Sequence, residues 1–86
     1  MTDGIRIDSW LWAARFFKTR SLAQQAIAAG RVKLNDARVK SSHELKAADA
    51  LAIRVGDFEW RIVVAALSDK RGPAEQARKL YRETAG

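Results

Sequence analysis

Arg15, Lys18 and Arg20 crowd a short polar stretch that also holds Thr19 and Ser21, and Arg31, Lys33, Arg38 and Lys40 follow before the midpoint of the chain. Arginine grips a phosphate through two parallel N–H donors, lysine supplies a compact charge, and hydroxyls add neutral hydrogen bonds. Residue types in that pattern bind anions; they do not make or break bonds. Between residues 15 and 40 Asp36 is the sole acid against seven Lys and Arg, six net charges in 26 residues. A solvated face accounts for an ordinary surplus, but this density exceeds what solubility requires.

Other chemistries fall away on composition. The chain has no cysteine, which excludes disulfides, thiolate metal sites and cysteine nucleophiles. His43 is the one histidine, in a polar segment with Ser41 and Ser42, so an ordinary serine–histidine dyad and most zinc sites are excluded too. The ten acids are scattered, and even Asp57 and Glu59 make no convincing acid–base couple. The expected protein is no enzyme and needs neither cofactor nor metal. No apolar run approaches the ~18–20 residues of a membrane span, and no signal-peptide pattern opens the chain, so a soluble, cytoplasmic protein is expected.

Eighty-six residues with a net charge of +6 allow one small domain, here residues 1–86, with a core over about 5–67 and a C-terminal helix over about 73–84. The charge is lopsided: residues 1–43 carry eight Lys/Arg against three acids, residues 44–86 eight against seven. The positioning elements follow from periodicity. Asp8 is placed to cap a first helix whose Ile7, Leu11 and Ala14, with Trp10, share one face. Trp12 points off that face, and packing under the sheet or the C-terminal helix is preferred over base stacking. Thr19 and Ser21 are alternative caps of a second helix, with Ala23, Ala26 and Ile27 as its apolar face and Gly30 at its end. The period then changes to two. Val32 and Leu34 alternate with cations, Asn35-Asp36 turns, and Arg38-Val39 returns, predicting a hairpin. Residues 40–49 are polar and read as loop. Leu51, Ile53 and Val55 form a strand, Gly56-Asp57 a turn, and residues 58–67 a long, mostly buried strand, with Phe16, Phe17, Phe58 and Trp60 in the core. Gly72-Pro73 opens the last helix, with Pro73 at its first position and Ala77, Leu80, Tyr81 and Thr84 on its packing face. The fold class is α+β: two packed N-terminal helices, a small twisted and mainly antiparallel sheet, and a C-terminal helix.

Three blocks, Arg6-Ile7-Asp8-Ser9-Trp10-Leu11, Lys18-Thr19-Arg20-Ser21-Leu22-Ala23 and Gly30-Arg31-Val32-Lys33-Leu34-Asn35, resemble the small RNA-binding domain named after ribosomal protein S-four, the αL motif. The run from Trp10 to Ala23, together with Arg71-Gly72-Pro73-Ala74 and Leu80-Tyr81-Arg82-Glu83-Thr84, is similar to the bacterial heat-shock protein 15 family. The resemblance implies a protein that binds ribosomal RNA on free large ribosomal subunits still carrying a stalled nascent chain, and that helps rescue or recycle them, with peptidyl-transfer RNA as a further contact. It implies an RNA surface of Arg6, Arg15, Lys18, Thr19, Arg20, Ser21, Arg31, Lys33 and Asn35; Gln24, Arg38 and Lys40 complete the candidate set. The sequence departs from the family pattern at Gln24, where many members carry a cation, at Asp36, where glycine is common, and at Ala47-Ala48-Asp49, which replaces a Pro-Gly-Asp turn.

Two other classes compete. Two short helices with a polar break imitate a helix-turn-helix DNA module, but the second helix offers only Gln24 and Gln25 for reading bases, leaving nonspecific duplex binding through phosphates. An interaction module in ribosome assembly would be indifferent to Arg15→Ala and Arg20→Ala. The RNA-binding reading, with a monomer as the acting species, expects a loss that is largest at low salt.

Overall fold

The computed structural model describes residues 4–84; residues 1–3 and 85–86 of the expected domain lie outside the described residues. A short strand β1 (Ile5–Arg6) leads directly into helix α1 (Ile7–Ala13), and helix α2 (Arg20–Ala28) follows. Next come β2 (Val32–Leu34), β3 (Ala37–Arg38), β4 (Glu44–Leu45), β5 (Ala50–Val55) and β6 (Phe58–Val64). The described chain ends with α3 (Ala74–Ala77), a 3-10 turn (Arg78–Leu80) and β7 (Tyr81–Glu83). Five strands form an antiparallel sheet in the order β3-β2-β5-β6-β7, and β1 pairs with β4 in a separate ribbon. The fold is α+β.

The helix pair packs on one face of the sheet as its periodicity predicts. Ile7, Trp10, Leu11 and Ala14 of the first helix and its end meet Ala23, Ala26 and Ile27 of the second over Val32, Leu51, Ile53, Ile62 and Val64. Each large side chain taken fully out of water here contributes roughly 1.5–3 kcal/mol. The Trp10 indole is wholly buried, and its N–H donates to the Ala66 carbonyl at 2.9 Å. Without that acceptor the buried N–H would cost about 1–3 kcal/mol.

Both helices close with the same backbone device. In α2 Gly30 takes φ +78°, its N–H bonding to Ile27 O at 3.1 Å while Arg31 N–H reaches Ala26 O at 2.9 Å. In α1 the left-handed position falls on Arg15, at φ +67°, with Arg15 N–H on Trp12 O at 3.1 Å and Phe16 N–H on Leu11 O at 3.0 Å. Glycine accepts that conformation without strain, whereas a side chain there costs roughly 1–2 kcal/mol. The hairpin turn between β2 and β3 has positive φ at both Asn35 (50°) and Asp36 (67°), the sign pattern of the type I′ turn that matches strand twist.

Several expectations are corrected. Asp8 is not the N-cap of α1. The helix starts two residues earlier than a cap at Asp8 would place it: the Ile7 N–H is taken by the His43 carbonyl at 2.8 Å, Arg6 holds the cap position and Asp8 lies within the first turn. The polar segment after residue 40 is not all loop: β4 inserts a wholly buried Leu45. The strand after the Gly56-Asp57 turn ends at Val64, not Leu67, and only Ile62 and Val64 in it are buried. Phe58 is 57% exposed at the turn, so it edges Trp60 (5.1 Å, near-perpendicular) instead of joining the core.

The C-terminal helix is the largest correction. It lasts four residues, with Pro73 at its cap and not its first position, and the chain then becomes strand. The 77, 80, 81, 84 spacing that suits a helix face is met instead by a 3-10 turn whose Leu80 carbonyl accepts the N–H groups of Ala65 and Ala66. Tyr81–Glu83 then pairs with β6, covering an edge that would otherwise present unpaired backbone groups. Tyr81 sets its ring 4.9 Å from Phe16, a contact a strand allows as well as a helix.

The Ala47-Ala48-Asp49 departure keeps its loop geometry. Asp49 N–H bonds back to Lys46 O, and Ala48 sits at φ +77° with its N–H on Val64 O at 2.8 Å. This is a turn that asks for glycine at its third position. Ala48→Gly is therefore expected to stabilise the protein by about 1 kcal/mol, raising the melting temperature by roughly 4–8 °C in a calorimetric scan. An unchanged or lower melting temperature would mean that Ala48 carries no strain.

Candidate nucleic-acid interface

The candidate residues sort into two clusters at opposite ends of α2, a nine-residue helix about 13 Å long. At its N-terminus lie Arg15, Lys18, Thr19, Arg20 and Ser21, all exposed. Thr19, not Ser21, is the cap: its Oγ1 accepts the Leu22 N–H at 3.1 Å, which leaves other N-terminal donors of the helix facing outward beside three cations. At the far end Arg31 and Lys33 are exposed, Lys33 opposite Arg38 across the hairpin and Ala52 across β5. Arg31 and Lys33 follow the opposite end of α2 from Arg15, Lys18 and Arg20, and Arg31 lines a groove with Phe17 and Leu22.

Four candidates are committed to holding the fold. Arg38 Nη2 donates to the Ala28 carbonyl at 2.7 Å, placing a cation on the last turn of α2, where the dipole is negative. Asn35 shapes the hairpin turn, and its side-chain oxygen accepts from Ala50 N at 3.4 Å. Arg6 and Gln24 both bind Asp8. The Arg6 guanidinium meets the carboxylate at 3.2 and 3.0 Å, Gln24 Nε2 donates to it at 2.8 Å, and Ser9 N–H donates at 2.7 Å. Asp8 is 2% exposed. Burial alone would push its carboxyl pKa upward, but the bonds from Gln24, Arg6 and Ser9 and the charge of Arg6 outweigh it, and the net shift is downward. Arg6 stays half-exposed, so its outer donors can still face a ligand. The exposed Lys40 contributes only its carbonyl, which accepts from His43 N–H.

One cation escaped the sequence reading. Arg71 Nε donates to the Trp12 carbonyl at 3.1 Å, and its guanidinium lies 5.9 Å from the Trp12 ring centre. Arg20 approaches the same ring at 5.0 Å. Next to Arg71, the Gly72 carbonyl accepts Arg15 Nε at 3.0 Å. Trp12 is thus half-buried among arginines and not beneath the sheet or the last helix. Nothing in the local pattern around Arg71 announces this; the contact spans 59 positions. Among the described residues the ion pairs are Arg6–Asp8 and Arg61–Glu59 alone. Arg15, Lys18, Arg20, Arg31, Lys33 and Arg71 have no carboxylate partner there.

This helix pair with its hairpin is that of the S4-domain proteins, and the S4 domain family model matches residues 5–51. The Escherichia coli K12 heat shock protein 15 is 44% identical over 81 residues, covering 94% of this chain, which spans 61% of that relative's length. The Vibrio cholerae heat shock protein 15, solved as a trimeric structure, superposes with a TM-score of 0.93 at 43% identity over 96% of this chain and 84% of its own. The Streptococcus pneumoniae protein named RQC P-site tRNA stabilizing factor is 34% identical over 90% of this chain and 86% of that relative. The chain belongs to the heat shock protein 15 family. Among the described residues no helix is long and apolar enough to cross a membrane.

Proposed function

We propose that the protein binds ribosomal RNA on free large ribosomal subunits that still carry a stalled nascent chain, and that it helps rescue or recycle them in the cytoplasm. The observation that carries this reading is the set of cations without a carboxylate partner among the described residues at both ends of α2, Arg15, Lys18 and Arg20 at one and Arg31 and Lys33 at the other. Nucleic-acid phosphates are the partner such spacing suits, since they recur along a backbone. Family membership supports the ribosomal client. The name of the Streptococcus relative, a P-site tRNA stabilizing factor, supports transfer RNA as a second contact. The action is binding, not catalysis, and the acting unit is one domain and one chain.

A DNA module is the weaker reading on a specific observation. Of the two glutamines available to read bases from α2, Gln24 is held by Asp8. That leaves Gln25 as the one free glutamine, with Arg20 and Ser21 confined to the first turn, a thin set for a recognition helix.

Sedimentation of the tagged protein with separated ribosomal fractions, with and without blocked nascent chains, tests the proposal. Co-migration with free large subunits, strengthened by peptidyl-transfer RNA and lost in Arg15→Ala/Arg20→Ala, is the expected result. A protein that stays at the top of every gradient while binding naked RNA would require another RNA client. Light scattering on the free protein checks the single-chain expectation.

A further inference from the structure

We propose that Trp12, Arg20 and Arg71 form a binding site for one unpaired nucleotide, its base continuing the indole–guanidinium stack and its phosphate gripped by the arginine N–H groups. This rests on the RNA-binding reading and sharpens it, because it assigns to one place on the surface a preference for unpaired over paired RNA.

The geometry is unusual for a solvated surface. Two guanidinium groups gather on one indole, at 5.0 and 5.9 Å from its centre, and neither has a carboxylate partner among the described residues. Asp69, two residues before Arg71, makes no ion pair with it there. Like charges held together without a counter-ion favour an incoming anion. The indole lies between buried Leu11 and Ala13 in sequence yet is only partly buried, so α1 spends its largest outward side chain on this place. A guanidinium stacked on an aromatic ring keeps its in-plane donors available for phosphate and offers its outer face to a base.

The site is also built before any ligand arrives. Arg71 is pinned through Nε to the Trp12 carbonyl, and Gly72 is pinned by Arg15, so the segment before α3 is fixed against the end of α1. Among the described residues the terminal amino groups of Arg71 have no protein acceptor, which leaves a forked donor pair for a phosphate. Holding these groups in place during folding lowers the ordering cost at binding.

The test compares a blunt RNA duplex with the same duplex bearing a single-nucleotide bulge, by fluorescence anisotropy at fixed salt. The wild-type protein is expected to prefer the bulged RNA by about 5- to 150-fold, the range of one base–aromatic stack. Trp12→Leu and Arg71→Gln should each remove the preference while keeping affinity for the blunt duplex; Trp12→Phe should keep part of it. As a readout independent of variant folding, 5-fluorotryptophan wild-type protein should show the Trp12 fluorine resonance, assigned through Trp12→Phe, shifting with bulged RNA and not with blunt duplex. Equal affinity for the two RNAs, a preference that survives Arg71→Gln, or an unmoved Trp12 resonance overturns the site and leaves the RNA-binding reading standing. Failure to bind either RNA at low salt overturns both.

Discussion

Replacing Arg15, Lys18, Arg20 and Arg31 together by glutamine is expected to lower RNA affinity about a thousandfold at 0.1 M salt. Each phosphate contact contributes roughly 0.7–0.9 to the slope of log K against log salt, hence nearly a decade per contact when 0.1 M is compared with 1 M. Removing four should flatten the slope by about 3. Glutamine is the informative replacement at Arg15, because its side-chain amide retains a donor for the Gly72 carbonyl that Arg15 Nε now serves, so the charge is removed with the local tether partly kept. None of the four makes an ion pair among the described residues, so neutralising them strands no buried acid and should leave the melting temperature nearly unchanged. A filter-binding titration across a salt series gives both quantities. A variant that loses affinity without losing slope would show that these residues act through shape and not charge.

Asp8→Ala is expected to cost about 2–3 kcal/mol and lower the melting temperature by roughly 10–20 °C. The carboxylate is the shared acceptor for Arg6, Gln24 and the Ser9 N–H, so one substitution loosens β1, α1 and α2 together. Arg6 and Gln24 can return to water; the Ser9 N–H cannot do so easily, and part of the cost lies there. The same bonds set a pH dependence. Since the folded carboxyl titrates below the unfolded value of roughly 3.9, its stabilisation is complete above that value and is lost as pH falls through the lower folded one. Thermal melts of wild type and Asp8→Asn should therefore stay a constant distance apart down to about pH 4 and converge only as pH falls further, through the lowered folded value. A gap that persists once the wild-type carboxyl is protonated would mean that the ionised carboxylate is not what stabilises the junction.

What could be read in the chain was local. Gly30 at the end of α2, the Asn35-Asp36 turn and the faces made by Ile7, Trp10 and Leu11 depend on neighbours within a few positions, and periodicity and turn chemistry report those. Tyr81 and Leu80 misled for the same reason. Their spacing is helical, but the open edge of β6, distant in sequence, decided for strand. The candidate site divides similarly. Charge density marks Arg15, Lys18, Arg20 and Arg31, since exposed cations need no partner to be recognised. Arg6 carries the same charge but pairs with Asp8 two positions away, while Gln24, Asn35 and Arg38 are drawn into bonds with Asp8, Ala50 and Ala28 that only the fold brings near. Arg71 is marked only as part of the Arg71-Gly72-Pro73-Ala74 block; its contact with Trp12, 59 positions away, has no local sign.

The three bonds that lock the start of the chain to its later part, Trp10 to Ala66, Arg15 to Gly72 and Arg71 to Trp12, bridge 56, 57 and 59 positions. During synthesis α1 therefore waits for its locks. At 5–20 residues per second, roughly 3–12 s separate the making of Trp10 or Arg15 from that of its partner. Through that interval the helix pair has its cations but not its final posture, and the growing protein has not yet completed the surface with which it would engage RNA.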